Sequence, residues 1–489
     1  MGMNILMATS EAAPLAKTGG LADVLGALPK ALGKLGVSAR VMLPKYEEIP
    51  EHYARRFERL AEFTVSFGWR NQYCGLLRAD IDGVVYYLID NEYYFRRKGL
   101  YGYGDDAERF VFFCFAVMEA ARHLDFRPEL LHCHDWQTGL MPFLLRTRYA
   151  YDPAWAYVKS IFTIHNLKYQ GLFGQELMQE LLGAGWEFFG PDGLEFYGAA
   201  SCMKGGLLYA DKLTTVSPSY AQEIQTAYYG ERLDEVLRSR AGDLTGIVNG
   251  IDEQSFDPMN DGALHVPYRS SLPRKRKNKL KLQEELGLTP SERVPVIGIV
   301  SRLVEQKGFD LIAATLDELL REDVQLAVLG AGEWKYEELF EDAARRYPGK
   351  AAIWLGYNDP LARRIYAGSD LFAMPSRFEP CGLSQLIALR YRTVPVVRET
   401  GGLRDTVQAY NEHTGEGNGF SFTNYNAHDY LYTMRRALSL YRNEEIWKRI
   451  VDNGARSDYS WTRSAKSYMT IYSGLLEQRK ENEPCPVTL

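Results

Sequence analysis

The chain has 489 residues, 46% hydrophobic and 25% charged, with 57 Lys plus Arg against 63 Asp plus Glu and a formal charge of −6. This composition excludes a largely disordered, collagen-like or coiled-coil chain. A weakly acidic chain is also ill suited to gripping a nucleic-acid backbone, although one small anionic ligand stays compatible with it.

The N-terminus, Met1-Gly2-Met3-Asn4, carries no basic run and reaches Glu11 early, so no signal peptide is expected. Buried strands are predicted at 4–9, 39–43, 84–89, 130–134, 158–164, 212–216 and 244–248, most of them followed by helix-like spacing. The densest apolar run, 110–118, is far too short to span a membrane. The same rhythm returns at 294–300, 324–329, 351–355, 371–374 and 394–397. Apolar strands alternating with helices predict two parallel sheets covered on both faces. The break falls around 250–293, where a Pro, Asp and Ser-rich stretch precedes the basic run Arg274-Lys275-Arg276-Lys277-Asn278-Lys279. That run reads as a solvated helix face. Two such sheets facing each other would form a cleft at the carboxyl ends of their strands, where α/β folds bind ligands.

Composition adds two hints. None of the six cysteines (Cys74, Cys114, Cys133, Cys202, Cys381, Cys485) forms a C-x-x-C pair, which predicts reduced thiols and a cytoplasmic setting. The 32 tyrosines suit sugar faces and cores equally well.

Five motifs lie at predicted strand ends. In Lys17-Thr18-Gly19-Gly20, a glycine pair before a helix lets backbone N–H groups approach a diphosphate, with Lys17 adding charge; a plain tight turn is the alternative. Its spacing is neither a Walker loop nor G-x-G-x-x-G. In Ser301-Arg302-Leu303-Val304-Glu305-Gln306-Lys307-Gly308, two cations five residues apart can converge on phosphates, or form a surface salt-bridge loop. In Phe378-Glu379-Pro380-Cys381-Gly382-Leu383-Ser384, the Glu379 carboxylate can bond sugar hydroxyls. There the N–H groups of Gly382, Leu383 and Ser384 can meet a phosphate, and Cys381 shapes a pocket wall. Thr163-Ile164-His165-Asn166 offers a histidine donor. His132-Cys133-His134-Asp135-Trp136 places two histidines on one strand face, but no further ligand spacing supports a metal. Thr400-Gly401-Gly402-Leu403-Arg404-Asp405 echoes Thr18-Gly19-Gly20-Leu21-Ala22-Asp23. No G-x-S-x-G elbow appears, which disfavours acyl-transfer hydrolysis.

Together these motifs resemble the bacterial glycogen synthases and plant starch synthases. The resemblance adds His134-Asp135-Trp136-Gln137, Gly246-Ile247-Val248-Asn249-Gly250 and Gly356-Tyr357-Asn358, and it spans nearly the whole chain. It implies an α/β, GT-B glycosyltransferase with two Rossmann-like doubly wound parallel-sheet domains around a central cleft. The domains expected are 1–255, joined by a C-terminal helix at 461–489, on the acceptor side, and 256–460 on the nucleotide-sugar side. It implies transfer of glucose from ADP-glucose to the non-reducing end of glycogen or another α-1,4-glucan, with retention, no cofactor and no metal. No nucleic-acid or membrane partner is expected, and the sequence leaves the oligomeric state open.

By the same resemblance, Lys17, Gly19 and Gly20 match diphosphate and glucosyl contacts, and Arg302 and Lys307 match the pair that neutralises departing ADP. Tyr357 matches the residue stacking on adenine, Glu379 the essential carboxylate, and His165 a donor to the transferred sugar. Asp23, Asp135, Asn166 and Asn249 match polar residues on the sugar side, and Thr400, Gly401 and Gly402 match backbone contacts near the donor. Lys168 and Ser384 depart from the usual pattern, and Ser384 keeps the hydroxyl of the more frequent Thr. Competing readings are a UDP-glucose-dependent relative, a glucan-binding scaffold without turnover, and a phosphorylase.

Overall fold

The computed structural model describes residues 3–482; Met1, Gly2, Cys485 and the 483–489 end of the predicted last helix lie outside the described residues. The chain divides into two compact units, Met1–Gly250 with Trp461–Leu489, and Ile251–Ser460.

The first unit contains strands β1 (Asn4–Ala8), β2 (Ser38–Pro44), β3 (Glu58–Phe67), β4 (Arg70–Ile81), β5 (Val84–Asp90), β6 (Leu130–His134), β7 (Lys159–Ile164), β8 (Leu172–Gly174), β9 (Glu195–Phe196), β10 (Ala199–Ser201), β11 (Lys212–Thr215) and β12 (Leu244–Gly246). Nine of them form one sheet in the order β12-β11-β7-β6-β1-β2-β5-β4-β3, and β8, β10 and β9 form a small antiparallel sheet. The helix Gly20–Lys34 buries Leu21, Val24, Leu25, Leu28 and Leu32, the spacing of a helix with one covered face. It packs against the C-terminal helix Trp461–Asn482.

The second unit holds β13 (Val296–Val300), β14 (Gln325–Gly330), β15 (Ala351–Leu355), β16 (Leu371–Met374), β17 (Val394–Arg398) and β18 (Phe420–Phe422). They form a sheet in the order β15-β14-β13-β16-β17-β18, parallel throughout. In each sheet the order reverses beside its first strand, with β2 and β6 flanking β1, and β14 and β16 flanking β13. Loops leaving two neighbouring strands in opposite directions open a crevice there, the usual ligand position in such folds.

Two expectations are corrected. The first sheet is not purely parallel, because β4 runs antiparallel to both β5 and β3. The outer strand β3 buries Val65 and Phe67 while Glu62, Thr64 and Ser66 stay exposed, so its signal is period-two alternation rather than a continuous apolar run. The basic run at 274–279 is not a solvated face either. Lys275 and Lys279 are buried. Lys275 Nζ donates to the Ala367 carbonyl (2.8 Å) and Thr393 Oγ1 (2.7 Å), and Lys279 pairs with Asp370 at 2.7 Å. Their long stems tie the helix Leu272–Leu286 to the unit's interior, where each charged head finds oxygen partners.

Candidate active site

The strongest cluster sits where the order of the second sheet reverses. The loop after β13 carries Arg302 and Lys307, and the loop after β16 carries Glu379. Lys307 Nζ meets Glu379 Oε2 at 2.6 Å, and Ser376 Oγ donates to the same oxygen at 3.1 Å. Glu379 is buried and Lys307 mostly so. Gly308 makes the approach possible. Its φ is +78° and an added Cβ would lie 2.1 Å from the Pro375 carbonyl oxygen. Lys307, Ser376, Glu379, Gly382, Leu383 and Ser384 line a cavity of about 70 Å³, which Cys381 does not line. Arg302 stands exposed and its guanidinium has no ion-pair partner among the described residues. Tyr357, after β15, is 88% exposed, so its ring faces are open to stacking.

Gly401 and Gly402 are held against the Glu379 loop by their own backbone. The Gly402 N–H donates to the carbonyls of Glu379 and Pro380, both at 3.1 Å. An added Cβ would lie 2.1 Å from Glu379 O at Gly401 and 2.1 Å from Cys381 O at Gly402. Gln385 Nε2 donates to the Cys381 and Gly382 carbonyls and to Thr406 Oγ1, whose hydroxyl donates to Gly402 O. The pair therefore works as a packing lock for the carboxylate's loop. Gly402→Ala must push backbone aside, which costs about 1–3 kcal/mol. We expect a melting temperature lower by several degrees and a fall in turnover, measured by calorimetry and a transfer assay. Unchanged values would contradict the lock.

In the first unit the similar Thr18-Gly19-Gly20 is used differently. Nothing would obstruct a Cβ at Gly19. Instead a buried carboxylate organises the loop. Glu11 accepts from Thr18 N (2.5 Å), Thr18 Oγ1 (2.7 Å), Gly19 N (3.2 Å) and Tyr101 OH (2.8 Å). The Gly19 N–H that the sequence reading aimed at a diphosphate is thus occupied by Glu11. Lys17 Nζ pairs with Asp23 at 2.6 Å, and both side chains are partly exposed. Sequence reasoning missed Glu11. Its only signal was a carboxylate in an apolar stretch directly after β1. Glu11→Ala leaves these donors without their acceptor, worth about 1–3 kcal/mol for a buried group. The expected result is a donor KM raised about tenfold, read by initial rates. An unchanged KM would show that Glu11 does not shape this loop.

The third group follows β6 and β7. Asp135 has φ +56°, a backbone strain that its hydrogen bonds maintain. Asp135 Oδ1 accepts the N–H groups of His165 (2.7 Å) and Asn166 (3.3 Å). Loss of solvation outweighs these bonds and pushes the Asp135 carboxyl up to about 7. His165 is buried, and its Nε2 lies 3.0 Å from His134 Nδ1. Burial drives the His165 pKa down to about 3, so the ring is neutral. Asn249, after β12, is buried, and its Oδ1 has no hydrogen-bond partner among the described residues. No group of His, Cys, Asp or Glu suited to a metal occurs among the described residues.

The predicted residues therefore fall into two groups. Lys17, Gly19, Gly20, Asp23, Asp135, His165, Asn166 and Asn249 lie in the first unit. Arg302, Lys307, Tyr357, Glu379, Cys381, Gly382, Leu383, Ser384, Thr400, Gly401 and Gly402 lie in the second.

Comparison with known proteins identifies the family. The family model described as starch synthase catalytic domain matches residues 4–239, and that described as glycosyl transferases group 1 matches residues 285–456. A glycogen synthase of Geobacillus thermodenitrificans is 53% identical, covering 98% of this chain and 99% of that protein. One from Clostridium novyi is 53% identical, covering 97% of this chain and 100% of that protein. The solved catalytic domain of starch synthase IV from Arabidopsis thaliana, bound to ADP and acarbose, matches with a TM-score of 0.90 at 32% identity, covering 98% of this chain and 100% of that one. Likeness of this extent, over nearly the whole chain, makes this chain a member of the glycogen and starch synthase family of GT-B glycosyltransferases.

Proposed function

We propose that the chain transfers glucose from ADP-glucose to the non-reducing end of an α-1,4-glucan, with retention of configuration and release of ADP. The observation that carries this reading is the Lys307–Glu379 pair where the second sheet reverses its order, its lysine on the same loop as Arg302, whose guanidinium has no ion-pair partner among the described residues. As the bond between the anomeric carbon and the β-phosphate oxygen breaks, negative charge grows on the leaving diphosphate. Arg302 and Lys307 oppose that charge, Arg302 with a planar fork and Lys307 as a compact cation. Glu379 fixes Lys307 and accepts from hydroxyls of the transferred glucose. Tyr357 stacks on the adenine. Gly382, Leu383, Ser384 and Thr400 present backbone to the donor, while Cys381 and the Gly401–Gly402 pair keep that loop in shape.

Lys17, Gly20, Asp23, Asp135, His165, Asn166 and Asn249 of the first unit act on the sugar and diphosphate, while Gly19, whose N–H is taken by Glu11, leaves room for the donor by lacking a side chain. The acceptor hydroxyl attacks the anomeric carbon and its proton passes to the departing phosphate oxygen, so the reaction needs no external acid. The acceptor is a neutral glucan, which suits a chain whose excess charge is only −6. A cytoplasmic setting fits the five free, buried cysteines among the described residues. No helix among the described residues is long and apolar enough to cross a membrane.

Labelled ADP-glucose and UDP-glucose, each supplied with glycogen primer, test the donor. Incorporation from ADP-glucose is expected, and incorporation from UDP-glucose alone would overturn the assignment. Asp135 supplies a pH prediction. A carboxylate beside the reacting centre stabilises developing positive charge only when ionised, so kcat/KM should rise with pH through about 7. Asp135→Asn should lower activity and flatten that limb. A limb that survives the substitution belongs to another group.

A further inference from the structure

We propose that His134 is a positioning residue for the transfer: its Nδ1–H donates to His165 Nε2 and so fixes the His165 proton on Nδ1, where it serves as a donor to the transferred sugar. The tautomer follows from this chain's own geometry, and only the sugar as recipient rests on the function proposed above.

Alternation along β6 puts His132 and His134 on one face of the strand. Their rings lie 4.1 Å apart between centroids, inclined by 32°. In the neighbouring strand β7, Thr163 is the register partner of His134, so His165 follows two residues beyond that point. The His134 backbone is anchored by Thr138, and its ring lies against those of His132 and His165. Its backbone N–H donates to Thr138 Oγ1 at 2.6 Å, and that hydroxyl lies 2.9 Å from the His134 carbonyl. The stacked His132 is fixed by Tyr472 OH on its Nδ1 (2.9 Å) and by Thr163 Oγ1 on its Nε2 (2.6 Å). Tyr472 comes from the C-terminal helix, so that helix reaches the site through this stack.

All three histidines are buried. Burial pushes His132 and His165 down to about 3, and His134 well below the ordinary range, so each ring is neutral, with one N–H and one lone pair. The 3.0 Å contact between His134 Nδ1 and His165 Nε2 uses one N–H and one lone pair. Two assignments satisfy it. If His165 donated, His134 would carry its proton on Nε2, which is buried and has no hydrogen-bond partner among the described residues. An orphaned buried N–H costs about 1–3 kcal/mol and is rarer in folded proteins than an orphaned acceptor. If His134 donates, its Nε2 is a bare lone pair and the penalty falls on an acceptor. The second assignment is the better one. It leaves His165 Nε2 occupied and Nδ1 as the proton-bearing nitrogen, the polarity that a hydroxyl-recognising donor needs. His134 thereby acts through His165 and needs no contact with the sugar.

The test begins with the wild-type full-length chain labelled with ¹⁵N-histidine, with His165 assigned by comparison with His165→Asn. The expected spectrum shows His165 protonated on Nδ1 and unprotonated on Nε2, and protonation on Nε2 would overturn the proposal. His134→Leu removes the donor, and His134→Asn keeps an amide N–H near the Nδ1 position. The Leu variant should lose the single tautomer of His165 and about tenfold in kcat, with ADP affinity unchanged. The Asn variant should recover both readouts. Leu behaving as wild type, or Asn failing as badly as Leu, would contradict the proposal. If the Leu variant fails to fold, the wild-type spectrum alone decides. An Nδ1 tautomer in a chain that transfers no glucose would sink the functional reading and leave this inference standing, while an Nε2 tautomer in a fully active chain would do the reverse.

Discussion

Glu379→Ala is expected to lower kcat for glucosyl transfer by about a thousandfold, while ADP continues to bind. Glu379 is a buried carboxylate held by Lys307 at 2.6 Å and by Ser376 at 3.1 Å. Under the proposed function, its removal takes away the acceptor proposed for the sugar's hydroxyls and frees the Lys307 ammonium from its present position. The groups assigned to the nucleotide, Arg302 and Tyr357, are untouched. Binding of ADP, measured by calorimetry, should therefore survive or tighten, because Lys307 no longer has an internal anion to satisfy. Glu379→Gln separates shape from charge. It preserves volume and one acceptor oxygen, so a loss as deep as that of Ala would assign the role to the charge. Near-normal turnover of the Ala variant would remove Glu379 from the chemistry.

The second large effect is expected at Lys307. Lys307→Met should lower kcat by on the order of a hundredfold, about the loss seen when one charge-stabilising donor is removed. It also strips a buried carboxylate of its cation, for which about 3–5 kcal/mol is typical, so stability should fall as well. The double variant Lys307→Met with Glu379→Gln tells the two effects apart. It leaves no unpaired buried charge, so stability should recover relative to Lys307→Met alone while turnover does not. Because the two residues touch, their effects on kcat should be strongly non-additive. Strict additivity would mean that they act independently. Arg302 makes the contrasting case. Without an ion-pair partner among the described residues, Arg302→Ala should cost activity with little change in melting temperature.

The sequence pattern made much of this molecule legible, and the exceptions have physical causes. Short apolar-rich runs announced several parallel strands: the buried β6 and β16, and the edge strand β15, match the predicted ranges to the residue. Strands β3 and β4 escaped because one face of each meets solvent, so that their apolar residues are diluted by Glu, Arg and Asn. The strand order was not legible, since it depends on contacts distant in sequence. Yet it is the order that gathers Arg302, Lys307 and Glu379 around the β13–β16 reversal.

At the level of single residues, local pattern misled in two places. The Gly19-Gly20 and Gly401-Gly402 motifs look alike in sequence, but Gly19 is unobstructed by the described residues while Gly401 and Gly402 are demanded by backbone packing. The basic run at 274–279 looked solvated because six polar residues in succession hide any periodicity, although two of its lysines reach inward to carbonyls and Asp370. Glu11 was passed over, and His134 was weighed only as a metal-ligand mimic and a motif residue, for a related reason. Each acts on another site residue, and nothing in the spacing of a motif reports which side chain steadies its neighbour.

The most direct measurement of the central claim follows the reacting carbon itself. Wild-type chain is mixed with ADP-glucose labelled with ¹³C at the anomeric position and a short α-1,4-glucan, and the anomeric signal is followed by NMR. The label is expected to move from the donor signal to an internal α-1,4 linkage at the rate at which ADP appears, one glucose for each ADP. A β-linked product, release of the label as free glucose, or no consumption of ADP-glucose would contradict it.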